Sequence, residues 1–149
     1  MDAVRDFEDM LELLEKHGVR YMIVGGLAFI FHAKPRYTKD MDIWVEFTPG
    51  NVERANRALA EFGSPALLRA DRDDEILQIG LDPDRIDVLL RMEAVQFADA
   101  WQRRIVSEFG DVRASWIGLD DLLAIKSSID SPRHREDARV LGEVKRRRG

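Results

Sequence analysis

The chain has no cysteine, so it can build neither a disulfide framework nor a zinc–thiolate centre, and a cytoplasmic home is the expectation that follows. It also lacks any apolar run near the ~20 residues that span a bilayer. The opening MDAVRDFEDM is acidic, without the basic-then-apolar order of a signal peptide. Positive charge is not in excess: 23 Lys and Arg against 28 Asp and Glu leave a net charge of −5. That balance argues against a protein that coats nucleic acid non-specifically. The three histidines, His17, His32 and His134, show no paired metal-ligand spacing. His17, just before Gly18, reads as a solvated residue in the last turn of a helix. The closing KRRRG, residues 145–149, complements a helix dipole, with a local contact to a phosphate backbone as the alternative.

What is present describes a globular chain. At 149 residues, 45% apolar and 34% charged, it is expected to form a single domain over 1–149, with a core at about 19–116 and C-terminal helices at about 119–147. Phe7, Met10, Leu11 and Leu14 fall at i, i+3, i+4 and i+7, the stripe of an amphipathic helix closed by Gly18. RYMIVGG reads as a buried strand running into two glycines, and LAFIFHA as a short helix stopped by Pro35. MDIWVEF is a strand, followed by a helix that starts at Thr48-Pro49, buries Val52, Ala55, Leu59 and Phe62, and ends at Gly63. EILQIG and RIDVLL are strands joined by the turn LDPD. EAVQFADAWQRR reads as a helix and VRASWI as a last strand. LDDLLAIKSSI and PRHREDARVLGEVKRR are closing helices, the second capped by Ser131. The order α-β-α-β-α-β-β-α-β-α-α predicts an α/β (α+β) fold, a sheet with helices packed on it. DRDDE at 71–75 is not a calcium loop, because the sixth position holds Ile76 where glycine is needed; it reads as a solvated turn.

Two stretches carry the chemistry. In RYTKDMDIWVEF, Met41, Ile43, Val45 and Phe47 alternate with Asp40, Asp42, Trp44 and Glu46. The two aspartates share a strand face about 7 Å apart. Such a pair either keeps an outer face wet or holds a divalent cation such as Mg²⁺ on hard oxygen ligands. In RIDVLL, Asp87 lies opposite Ile86, Val88 and Leu90, in a strand apolar enough to be central. There an aspartate needs a hydrogen-bond partner or a metal. Gly25-Gly26, between strand and helix, is either a plain turn or a place where backbone N–H groups come close to phosphate. It matches neither G-x-x-x-x-G-K-[ST] nor G-x-G-x-x-G. Lys126 shares the face of Leu119, Leu122 and Leu123, so it either snorkels out or reaches toward an anion.

Taken together, IVGGLAFIFHA, RYTKDMDIWV, RIDVLL, LDDLLAIK and REDARVL resemble the minimal nucleotidyltransferases of the DNA polymerase β superfamily. The R-x-T-x-D-x-D form is most similar to the abortive-infection and toxin–antitoxin branch. The resemblance covers roughly residues 19–141. It implies a nucleotidyltransferase-like mixed sheet in which Asp40, Asp42 and Asp87 ligate Mg²⁺ as the catalytic set. It further implies that Gly25, Gly26, Thr38 and Lys126 bind the nucleotide, with Asp137 as the late-helix acidic position. His134 departs from the pattern, since relatives often carry an acid there, and the role of Arg36 is left open. The implied chemistry is attack of an acceptor hydroxyl on the α-phosphorus of an NTP, Asp87 assisting deprotonation. The implied partners are NTP, an RNA (tRNA) or protein acceptor, and a cognate toxin or antitoxin, with no membrane. The alternative is a non-catalytic nucleotide-binding or interaction module. An antibiotic adenylyltransferase is disfavoured, because such relatives usually carry an added acceptor domain.

Overall fold

In the computed structural model, which describes residues 3–38, 40–81 and 84–149, the chain begins with α1 (Ala3–Lys16). Its apolar stripe of Phe7, Met10, Leu11 and Leu14 is buried. The helix ends where Gly18 adopts the left-handed φ of +66°. β1 (Tyr21–Val24) is buried along its whole length and leads into α2 (Gly25–His32). β2 (Met41–Val45) precedes α3 (Pro49–Phe62), which closes at Gly63 with φ +96°. β3 (Ile76–Ile79), β4 (Ile86–Leu89) and α4 (Phe97–Gln102) follow. β5 (Ile105–Phe109), β6 (Val112–Trp116), α5 (Leu119–Ser128) and α6 (Pro132–Arg148) complete the order. As expected, Ser131 caps α6 by accepting the His134 main-chain N–H at 3.2 Å.

The six strands form one mixed sheet in the order β3-β4-β2-β1-β6-β5. β1 runs antiparallel to β2 and parallel to β6, while β2 and β4 are parallel. Each face of the sheet is covered. On one face, Ile23, Ile43, Val45, Ile86 and Val88 pack with the stripes of α1 and α3. On the other, Met22, Val24 and Trp44 pack with residues of α2, α4, α5 and α6, among them Phe29, Ala100, Leu122 and Leu141. Asn51 ties the first layer to the strand ends. Its Oδ1 accepts Arg20 N–H at 2.8 Å, and its Nδ2 donates to the carbonyls of Arg20 and Glu46.

Four expectations change. A strand was missed: β5 pairs antiparallel with β6 across a tight turn at Gly110 (φ +57°) and Asp111. The helix expected over 93–104 is only Phe97–Gln102, because Ala94 takes a positive φ of 75° and the chain before it cannot wind as a helix. Trp44 is not on a wet face: it is 2% exposed and meets Phe97 edge-on at 5.1 Å. His17 is half-buried and 3.0 Å from Glu61 rather than merely solvated. The DRDDE stretch is the exposed turn expected, with Arg69 and Arg72 paired to Asp71 and Asp74. In the predicted LDPD turn, Asp82 and Pro83 lie outside the described residues. Lys145 of the basic tail folds back to within 3.2 Å of Asp120, and Arg148 donates to the His32 carbonyl at 3.4 Å.

Candidate active site

Parallel pairing of β2 with β4 sets Asp42 opposite Asp87 in the register, so both carboxylates rise from one sheet face at neighbouring strands. Asp40 stands two residues before Asp42 on the same side. Between them lies Arg85, two residues before Asp87. Its Nε donates to Asp87 Oδ1 at 2.7 Å, and its Nη2 lies 3.1 Å from Asp87 Oδ2 and 3.2 Å from Asp40 Oδ2. Sequence reasoning missed Arg85, although an i, i+2 spacing to Asp87 was its signal. Burial pushes the Asp42 carboxyl up to about 6, with the charges of Asp87 and Asp40 adding to it and Lys126 and Arg85 opposing.

The two glycines bring the turn against this cluster. Gly25 has φ +68°, and a Cβ there would overlap Asp42 Oδ2. A Cβ on Gly26 would come within 2.6 Å of Thr38 Oγ1. The backbone at Gly25 and Gly26 therefore closes on the Asp42 carboxylate and on Thr38 only because both positions lack side chains. A cavity of about 430 Å³ opens here, its lining shared between Gly25, Gly26, Thr38, Asp40 and Asp42 and a set of cations, Arg36, Lys126 and Arg133, with Tyr37 and His134.

The cationic wall has its own scaffold. Lys126, only 6% exposed, does not snorkel: its Nζ lies 3.0 Å from Asp137 Oδ2. Arg36 Nη1 donates to Asp137 Oδ1 at 2.6 Å, and the guanidinium stacks 4.1 Å from the centroid of Phe29. Burial raises the proton affinity of Asp137, but its hydrogen bonds from Arg36 and Lys126 outweigh this and hold the carboxyl below its usual range. Asp137 thus orders two cations at the edge of the cavity while Arg36 Nε stays buried with no hydrogen-bond partner among the described residues. Arg133 was not singled out in the sequence.

Among the described residues no three His, Asp or Glu side chains stand ready-made around a point; Asp87 and Asp40 are bonded to the Arg85 guanidinium instead. The donor set nevertheless suits a hard divalent cation: it is all oxygen, and burial with two neighbouring acids pushes the Asp42 carboxyl up to about 6, a cost that a bound cation would relieve. Asp40, Asp42 and Asp87 are the residues that would hold it.

The backbone is similar to that of LnuA, a lincosamide antibiotic adenylyltransferase in a lincomycin-bound crystal structure. The TM-score is 0.63 at 14% identity, over 94% of this chain and 96% of that one. It is also similar to the antibiotic-resistance factor ANT(2'')-Ia in solution, with TM-score 0.65 at 15% identity over 94% and 82% of the two chains. The crystal structure of ANT(2'')-Ia with adenylyl-2''-tobramycin gives 0.58 at 18% identity over 95% and 92%. No protein-family model and no curated protein matches the sequence. The chain therefore has the nucleotidyltransferase fold, as the motifs led one to expect. The match across nearly all of LnuA overturns one expectation: antibiotic adenylyltransferases do not all need a further domain beyond this length.

Proposed function

We propose that the protein is an Mg²⁺-dependent nucleotidyltransferase that moves an NMP from an NTP to an acceptor hydroxyl, releasing pyrophosphate. The observation that carries this reading is the polarity of one cavity, lined by Asp40 and Asp42 on the β2 side, with Asp87 on the adjoining strand, and by cations on the α5–α6 side. Such a site separates a metal position from a polyphosphate position, which is what nucleotidyl transfer requires. Mg²⁺ bound by Asp40, Asp42 and Asp87 would neutralise the triphosphate and the charge that develops on the attacking and leaving oxygens. Gly25 and Gly26 let the backbone approach the phosphates. Lys126 and Arg36, held by Asp137, meet them as fixed positive charges. Thr38, beside Gly26, orients the same turn. Asp87, on the strand beside Asp42, would accept the proton of the incoming hydroxyl, a role the Asp42–Asp87 register supports.

For the acceptor, the resemblance of the R-x-T-x-D-x-D segment supports RNA or protein, within a cytoplasmic toxin–antitoxin pair. A small hydroxylated molecule is a second reading, favoured by the match to LnuA over 96% of its length. Incubation with each α-³²P-labelled NTP and Mg²⁺, in the presence of tRNA, lysate protein, a lincosamide or an aminoglycoside, tests both readings. Label should pass to one class of acceptor and Asp87→Ala should abolish that transfer. Tight NTP binding without transfer to any acceptor would instead assign a non-catalytic binding module.

A further inference from the structure

One group on the cationic wall has no part in the chemistry above. His134 lies in the first turn of α6 and lines the cavity beside Arg133 and Lys126. Its ring is oriented by its own cap. Ser131 Oγ accepts the His134 main-chain N–H and lies 2.7 Å from Nδ1. A hydroxyl that accepts the main-chain N–H still has its single proton to give, and Nδ1 is the acceptor within reach. The neutral ring then carries its proton on Nε2, as a donor. The main-chain bond alone makes the cap, so the ring contact is not needed to start the helix.

The charges facing this ring come from every element around it: Lys126 of α5, Arg133 and Asp137 of α6, Arg36 of the segment before β2, and Asp40 and Asp42 of the carboxylate side. Burial first, then Lys126, Arg133 and Arg36, hold the ring's pKa below 6.5, with Asp137 opposing them. A polyphosphate laid on this wall would cancel those positive charges and favour the imidazolium. Protonation costs the ring no partner, because Nδ1–H can then donate to Ser131 Oγ. On the nucleotidyl-transfer reading the carboxylates would hold the reacting α-phosphorus on the sheet side, and the groups that extend to α5 and α6 would be the outer phosphates.

We propose that His134 is a triphosphate-binding residue that meets the β- and γ-phosphates through Nε2 and takes up a proton as they bind. The proposal rests on the nucleotidyl-transfer reading and adds to it a proton-linked grip on the outer phosphates. The probe is inorganic tripolyphosphate in EDTA, followed by titration calorimetry in buffers of different ionisation enthalpy. Asp42 titrates near the same pH, so Asp42→Asn is the common background, with and without His134→Asn or His134→Gln. Both variants keep the Ser131 main-chain cap, and thermal melts verify folding. Proton uptake should be greater with His134 present. Its loss should weaken binding about tenfold near pH ~6.5, the scale of one charge-assisted hydrogen bond, and far less near pH ~8.5. Equal affinity and equal proton uptake in folded His134 variants would overturn this inference while leaving the transfer reading intact. Failure of tripolyphosphate to bind even with His134 present would also overturn this inference, whereas the Mg²⁺-dependent transfer reading is overturned only by the labelled-NTP assay.

Discussion

Asp42 and Arg85 are the two residues on which the site's charge balance turns. Asp42 carries its proton up to about pH 6 because burial and two neighbouring acids disfavour its anion. Near neutral pH the unliganded protein therefore bears a destabilising charge there, and replacing Asp40 and Asp42 by Asn should stabilise it by roughly 1–3 kcal/mol. Mg²⁺–ATP should raise the melting temperature of the wild type and should not raise that of the same double variant. A full nucleotide-induced rise in the variant would remove these carboxylates from the metal site. Arg85 acts in the opposite sense, bridging Asp87 and Asp40 with one guanidinium. Arg85→Met should destabilise the protein in EDTA by about 2 kcal/mol, since it leaves two carboxylates facing each other in a half-buried site. Mg²⁺ should restore most of that loss, as a second cation replacing the first. Melts of the variant with and without Mg²⁺ check this, and equal loss in both conditions would count against a shared site.

At the scale of elements, α2 shows how a helix is fixed to the site's second layer. His32, at its end, is 3% exposed and its Nε2–H donates to the Ile117 carbonyl at 2.7 Å, while Nδ1 is buried without a partner among the described residues. Burial lowers its pKa, with Arg148 adding to that and the Ile117 bond opposing it. A histidine depressed in the folded state contributes stability above its unfolded pKa of 6.5, and that stability falls as pH drops toward the folded value. Stability should therefore decline below pH ~6.5 in wild type and decline less steeply in His32→Gln, as paired urea titrations from pH ~8 to ~5.5 would show. Parallel slopes would contradict the assignment. Much of this architecture was legible in the sequence. Period-2 alternation placed Asp42 and Asp87 on strands, though Asp40 stands just before β2 rather than in it, and Gly63, Ser131 and Pro132 marked helix ends where they occur. β5 was missed although Gly110-Asp111, a two-residue hairpin turn, sits between its strand and β6. Trp44 was misread because alternation reports one core, and only tertiary packing shows that α4 and α5 bury the other face as well. Arg85 escaped because a basic residue at a strand's first position looks solvated until β2 is brought beside it.

At the scale of the molecule, the site joins two layers that otherwise meet through apolar contact. Asp40, Asp42 and Asp87 belong to the sheet, while Lys126, Arg133, His134 and Asp137 belong to α5 and α6, and the cavity lies between them. α1 and α3 pack on the opposite sheet face, and among the described residues neither helix lines the cavity. A metal–nucleotide complex held by both walls would link the sheet to α5–α6 by charge-assisted bonds absent from the unliganded protein. Local opening that separates those helices from the sheet would then have to release the ligand, and its free energy would rise with ligand concentration. Amide hydrogen exchange with Mg²⁺ and a non-hydrolysable NTP should accordingly slow in residues 119–141 and in residues 24–29 at the start of α2. The amides of α1 and α3 that exchange by local opening on the far face should be unaffected. Adding Asp40→Asn with Asp42→Asn should erase the difference, since one of the two walls then no longer holds the complex. Protection spread evenly over both faces, or confined to the sheet with α5 and α6 unchanged, would show that the cationic wall does not bind the nucleotide.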